Sequence, residues 1–343
     1  MPEGAMAVVL AAGQGKRMHS SLPKALHPVG GVPMVLRVLA AARAAGLGSA
    51  VVVVGHAGQE VARVVASRAP ETVSLAWQRT QRGTGDAVAC ALAAVGGGLP
   101  DEVVVLPGDA PLLPPDEIAG LLADHRASGA AATLLTAQME DPRGYGRILR
   151  DPQGRVAAIV EERDATVEQR AIREINTLVG CYRTTNLRAA LDRCQPLNAQ
   201  GEIYLTDAVA LLVAEGEALG TRCAPDPVAV LGVNDRQALA QAELALRQRT
   251  LLRLMVQGVT VTDPTSTWVD ETVEAGPDCT LLPGTHLEGD CRLEAGCIVG
   301  PNAHLRDCRL GARVAVSGVH LRGVVVGAGC RIGPGADLAV GRD

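Results

Sequence analysis

The chain has no phenylalanine, and only three tyrosines and two tryptophans among 343 residues. A core without large rings must be filled by Ala, Val, Leu and Ile, so the few aromatic positions, Tyr145 and Tyr204 among them, are too scarce to be routine filler. C-x-x-C pairs are also missing. The nine cysteines stand at 90, 181, 194, 223, 279, 291, 297, 308 and 330. An odd number, with no charged-then-apolar leader, reads as reduced thiols in a cytoplasmic protein rather than as a disulfide framework or zinc cluster. No apolar run approaches the roughly 18 residues of a bilayer span, so no membrane partner is expected. Nor is there a basic block: 32 Lys and Arg face 37 Asp and Glu, a net charge of −5. Nucleic-acid binding needs a basic patch or stripe and is excluded as the expected function. The seven histidines show no nucleophile or metal-ligand spacing.

What is present has the length of two ordinary globular domains, 48% hydrophobic and 20% charged. Through about residue 230, apolar runs at 7–10, 50–54 (ending in Gly55-His56), 102–106 (ending in Pro107-Gly108-Asp109) and 131–136 read as strands. Ala-rich amphipathic stretches at 33–45, 59–67, 84–94 and 115–127 read as helices. The alternation predicts an α/β, Rossmann-like domain with a mainly parallel sheet, helices on both faces, and ligands at the carboxyl ends of the strands. The loop after the first run, residues 10–28, reads LAAGQGKRMHSSLPKALHP. Gly13 and Gly15 permit a tight turn and close approach of backbone N–H groups. Lys16, Arg17 and Lys24 supply positive charge. Such a loop suits a nucleoside triphosphate.

Residues 235–256 carry leucines at 239, 244, 246, 251, 252 and 254 without internal Gly or Pro, and predict one long helix. Beyond about residue 273, aliphatic residues recur every six positions at Leu281, Leu287, Leu293, Val299 and Leu305. A small residue stands two places earlier each time: Cys279, Thr285, Cys291, Cys297 and Ala303. The phase slips after Leu305 and returns at Val326, Ile332 and Leu338. Six-residue periodicity with small corner residues predicts a short left-handed parallel β-helix of hexapeptide repeats. The expected division is a nucleotidyltransferase domain over 1–234, a connecting helix over 235–257 and the β-helix over 258–343.

Ordered motifs run through the chain: LAAGxGxRM at 10–18, LPKxLH at 22–27, QxxQxGTG at 78–85, GD at 108–109, GYGRI at 144–148, IVE at 159–161, EINT at 174–177, GExYxTD at 201–207 and GVN at 232–234. They resemble the bacterial bifunctional N-acetylglucosamine-1-phosphate uridyltransferase / glucosamine-1-phosphate acetyltransferase family, over nearly the whole chain. The resemblance implies a nucleotide-diphospho-sugar transferase domain, UTP and N-acetylglucosamine 1-phosphate as substrates, Mg²⁺ as cofactor, and a homotrimer formed through the β-helix.

It also implies roles residue by residue. Arg17 and Lys24 would be catalytic, neutralising the triphosphate as the sugar phosphate attacks the α-phosphorus in line. Leu10, Ala11, Ala12, Gly13 and Gly108 would contact nucleotide through the backbone. Gln78, with Gly83 and Thr84, would read the uracil edge, since an amide offers both donor and acceptor. Asp109 and Asn234 would hold the metal, although a lone Asp after glycine also suits a helix cap. Gly146, Glu161 and Asn176 would hold the sugar, with Tyr204 and Thr206 closing its pocket. Lys16 stands where the family varies and is read as solvated, and His27 is read as structural.

Three departures are visible. Pro107 stands where the family often has Tyr, and Leu178 follows EINT where the family has Gly. Residues 337–341 read DLAVG where the family has RLRPG, so its first sugar-binding Arg of the acetyltransferase is missing and that activity is expected to be absent. Two alternatives remain: a nucleotidylyltransferase for another sugar 1-phosphate, or a non-catalytic nucleotide-sugar-binding regulator. The second should have lost Arg17, Lys24 or Asp109, and all three are present.

Overall fold

A computed structural model of the chain describes residues 4–55, 57–69, 72–196 and 200–340. His56 and Gly341, named above, lie outside them. The chain divides into two compact units, Met1–Leu239 and Ala240–Asp343.

The first unit is organised by strands β1 (Ala5–Ala11), β2 (Ser49–Val54), β3 (Val73–Trp77) and β4 (Glu102–Pro107), parallel and in the spatial order β4-β1-β2-β3. Helices α1 (Met34–Ala44), α2 (Gly58–Arg68), α3 (Thr84–Val95) and α4 (Pro115–Ser128) follow them. The continuous apolar runs are the central strands, because both faces of the sheet are covered. Alternation along each strand divides the core. Val9, Val52, Val54, Val104 and Leu106 pack on α1, α2 and α4, whereas Val8, Val51, Val53 and Val105 pack on α3.

The sheet continues with the apolar run at 131–136, which forms the next strand, and then beyond what such runs suggest. It gains β5 (Ala132–Gln138), β6 (Gly146–Arg150), β7 (Val156–Val160), β8 (Glu174–Arg183) and β9 (Leu219–Cys223), with α5 (Thr184–Leu191) and α6 (Leu205–Ala214) between the last two. β8 runs antiparallel to both β4 and β5, and β6 and β7 form a side ribbon on it. This ten-residue strand carries EINT at the sheet's ligand end. Its register slips against β5 between Asn176 and Gly180.

Helix α7 (Arg236–Val256) is unbroken. The second unit winds short parallel strands into three sheets of five, five and four, forming a β-helix. Leu281, Leu287, Leu293, Val299 and Leu305 fill its interior, and the corners Cys279, Thr285, Cys291, Cys297 and Ala303 are wholly buried. The phase slip has a geometric cause. Paired positions stand 18 residues apart at 280 and 298, then 17 at 298 and 315, then 16 at 315 and 331. Faces shorten by one residue, moving the interior positions to Leu310, Val316 and Leu321. Leu338, expected from periodicity to be interior, is 46% exposed. No helix among the described residues is long and apolar enough to cross a membrane.

Candidate active site

β1 ends at Ala11, in the middle of the sheet, and the chain turns through Gly13 and Gly15 into a short 3₁₀ turn, Lys16–Met18. Gly15 has φ 61°, and a Cβ there would lie 2.6 Å from Cβ of Lys24. Only glycine satisfies both the left-handed backbone and that approach. Gly13 differs, since a Cβ there would meet nothing within 4 Å. Its backbone faces open space.

β4 lies beside β1 and ends at Pro107, and Gly108 N–H donates to Leu10 O at 2.9 Å. Asp109 thereby comes opposite the opening loop. The Lys24 ammonium forms an ion pair with the Asp109 carboxylate and donates to Asn234 Oδ1 at 2.8 Å. Asn234 is brought there by Val233 N–H, which donates to Asp109 O at 2.8 Å, and by Gly232, where a Cβ would lie 2.9 Å from Asp109 Oδ1. A carboxylate and an amide oxygen thus converge on one cation. Two hard oxygen donors with open space beside them suit Mg²⁺, which takes one or two protein ligands and completes its shell with phosphate and water. Among the described residues no group of three or more His, Cys, Asp or Glu is placed to hold a metal.

Two cavities meet at this point. The larger, about 800 Å³, is lined by residues 10–14, Lys16, Lys24, Gln78, Arg79, Gly83, Thr84, Gly108 and Asp109, among others. The smaller, about 290 Å³, is lined by Gly144, Tyr145, Gly146, Glu161, Asn176, Tyr204 and Asn234, among others. Thr84, Pro107, Asp109 and Leu178 line both.

Gln78 is 4% exposed, and its amide hydrogens go to Gly83 O at 2.9 Å and Asp86 Oδ2 at 2.8 Å. Donor and acceptor are therefore not both available to a base. Only the amide oxygen remains for a ligand. Gly83 has φ 104°, and a Cβ there would fall 2.3 Å from Ile203 O, so the 83–85 turn packs against 203–205. The Thr84 hydroxyl accepts from Leu205 N–H at 2.9 Å, which gives it a local task. Arg17 is exposed and makes no hydrogen bond or ion pair among the described residues. Its charge acts through space on Tyr145, which lines the smaller cavity. Lys16, read from sequence as solvated, lines the larger cavity.

In the smaller cavity, Glu161 Oε1 and Oε2 lie 3.5 Å from where a Gly146 Cβ would be. Burial holds the Glu161 carboxyl above the ordinary glutamate range. The Thr206 hydroxyl, donating at 3.3 Å, works against this, while Asp164 and Asp207 add to it. Thr206 is itself buried and reaches the cavity through Glu161. Asn176 Oδ1 accepts from Leu178 N–H at 3.2 Å, leaving its NH₂ group for a ligand. His27 is 3% exposed, and burial foremost, with Arg236 beside it, lowers its pKa, as befits a neutral packed ring.

The motif reading missed Arg147. Its side chain is 0% exposed and donates to the Tyr145 carbonyl and, at 2.7 Å, to Glu162 Oε2. Glu162 also accepts from Gly144 N–H at 3.2 Å. The pair ties the 144–146 turn to the 161–162 segment, two walls of the smaller cavity. A charged residue in the interior of the strand GRILR, directly before Ile148 and Leu149, was the available signal.

Residues 7–258 match a MobA-like NTP transferase domain. Over 337 residues, 98% of the chain, the protein is 44% identical to the bifunctional protein GlmU of Kineococcus radiotolerans and covers 68% of that relative. Proteins of the same name from Streptomyces avermitilis and Trichlorobacter lovleyi are 45% and 43% identical, again over 98% of the chain, with 70% and 72% of the relatives covered. With a transferase domain across most of its length and 98% of its residues matched by each of these relatives, the chain is a nucleotidyltransferase and belongs to the GlmU family.

Proposed function

We propose that the protein joins UTP to N-acetylglucosamine 1-phosphate, giving UDP-N-acetylglucosamine and pyrophosphate. The observation that carries this reading is the meeting of two cavities at Asp109, where Lys24 and Asn234 also converge. A nucleotide in the larger cavity and a sugar phosphate in the smaller would present the α-phosphorus and the attacking oxygen to one another. The uracil edge is assigned to Gln78 Oε1 and the backbone at Gly83 and Thr84. The triphosphate is assigned to the backbone of residues 10–13 and Gly108, with Lys24 and Arg17 countering its charge. Glu161, Asn176 and the Gly146 backbone are assigned to the sugar, with Tyr204 at the rim and Thr206 orienting Glu161.

In-line attack by an acceptor phosphate oxygen forms the new P–O bond as the bond to pyrophosphate breaks. No covalent enzyme intermediate is needed, so positioning and charge neutralisation carry the rate. Asp109 and Asn234 would hold Mg²⁺, which when bound offsets the charge on the phosphate oxygens. Lys24 then turns from these two residues toward the phosphates.

The division of labour proposed is uridylyl transfer by residues 1–234, a connecting helix over 235–257, and a β-helix over 258–343 that assembles three chains and does not itself acetylate glucosamine 1-phosphate. Pyrophosphate release from UTP across a panel of sugar 1-phosphates tests the reaction. Preference for N-acetylglucosamine 1-phosphate supports it, activity with another sugar overturns the sugar assignments, and no release with any overturns the reading. Sedimentation equilibrium tests the trimer, and acetyl-coenzyme A consumption tests the second statement.

A further inference from the structure

Leu178 has φ 68°, in the left-handed region that a leucine rarely occupies. It sits in the irregular stretch of β8 between Asn176 and Gly180, where its own N–H is held by Asn176 Oδ1. A side chain kept in so unfavourable a backbone conformation has surroundings that fix it. Those surroundings are informative. Leu178 packs on the buried cluster that contains Val8, Val105 and Leu205, and it lines both the nucleotide-side and acceptor-side cavities. The antiparallel ladder pairs Gly180 with Val105. Continued two residues further, it brings Leu178 to the same end as Pro107, which also lines both cavities.

We propose that Leu178, set against Pro107, is a specificity-determining residue: an apolar septum between the two cavities that selects among acceptor sugar phosphates. The other residues shared by the cavities, Thr84 and Asp109, are polar. Leu178 and Pro107 therefore form the apolar side of the passage through which the reacting groups meet. A leucyl side chain there discriminates by shape, since it has no hydrogen bond to offer. The inference rests on the proposed reaction at this site.

The test compares kcat/KM for N-acetylglucosamine 1-phosphate with that for glucose 1-phosphate in the wild type, Leu178→Gly and Leu178→Asn. Glycine and asparagine both accept the left-handed backbone, so either variant can report if the other folds poorly. The expected result is that the ratio falls about tenfold, the scale on which a shaped apolar pocket discriminates, while KM for UTP changes less than about twofold. A ratio unchanged in the folded variants, with the wild type active, overturns the septum alone. A wild type that releases no pyrophosphate with either sugar phosphate overturns the underlying reaction as well.

Discussion

The ammonium of Lys24 donates to Asn234 Oδ1 at 2.8 Å, a contact between residues 210 positions apart in sequence. The same ammonium pairs with Asp109. Without a ligand, Lys24 thus neutralises the carboxylate that the proposed mechanism gives to a metal. Asp109→Ala removes both the lysine's partner and the metal's. Turnover should fall about 10²- to 10³-fold, in the range for loss of one electrostatic stabiliser. Asn234→Ala leaves the carboxylate and should mainly raise the Mg²⁺ concentration needed for half-maximal rate. Equal Mg²⁺ dependence in Asn234→Ala and the wild type would remove Asn234 from the metal site.

Gly15 tests how closely the opening loop is built around Lys24. An alanine Cβ would lie 2.6 Å from Lys24 Cβ, and at φ 61° the residue is already left-handed. The loop must open by about 1 Å to restore a normal carbon–carbon separation. Misplacement on that scale costs about 100-fold in rate when it moves a reacting or charge-neutralising group. Gly15→Ala should therefore lower kcat strongly with a loss of only about 1 to 2 kcal/mol in stability, read by urea denaturation. Near-normal kcat in this variant would show that Lys24 need not stand where the structure puts it.

Much of this was legible in the sequence because it rests on local rules. The central strands of the first unit are continuous valine runs, and α1 to α4 are Ala-rich stretches with clear ends. The repeat column from Leu281 to Leu305 needs only a count of six. β8 was not legible as a strand, because its ten residues show neither a continuous apolar run nor a regular alternation and gain their meaning from partners on both sides. The late interior positions Leu310, Val316 and Leu321 were hidden by faces one residue shorter. At the site, residue types indicated chemistry, but the contacts that already engage a group were invisible. Gln78 donates both amide hydrogens within the protein, Thr206 reaches the cavity through Glu161, and Lys16 rather than Arg17 lines the larger cavity. The Thr206–Glu161 contact joins residues 45 positions apart, and the Gln78 contacts depend on how the 78–86 segment folds back, which residue type does not reveal.

Arg147 should behave as a positioning residue. It is wholly buried and paired with Glu162, and the pair holds the turn at Gly144 and the carbonyl of Tyr145. Removing one partner of such a pair leaves a charge without compensation and costs about 3 kcal/mol or more. Because Glu162 is 31% exposed, water recovers part of this, and Arg147→Met should fall at or below that figure. The informative readout is kinetic. KM for the sugar phosphate should rise while KM for UTP holds, because only the smaller cavity loses its tie. A uniform loss of kcat, with both KM values unchanged, would mean Arg147 supports the fold without shaping that cavity.

Glu161 links the site to pH. Burial raises its carboxyl above the ordinary glutamate value, so the folded protein binds this proton more tightly than the unfolded chain does. Between the two values the native state carries the extra proton, and stability falls as pH rises through that window, then stays level above it. Glu161→Gln removes the ionisation. Its melting temperature relative to wild type should increase as pH climbs from the ordinary glutamate value to the raised one, and flatten beyond. If the carboxylate form accepts hydrogen bonds from the sugar, wild-type KM for the sugar phosphate should fall through the same window, whereas the glutamine variant should show a higher and pH-independent KM. The two profiles are tied to one proton, so both must level off at the raised folded-state value. A stability profile that moves while the KM profile stays flat would leave Glu161 a buried acid with no part in binding the sugar. Both profiles flat would mean that its carboxyl is not raised at all.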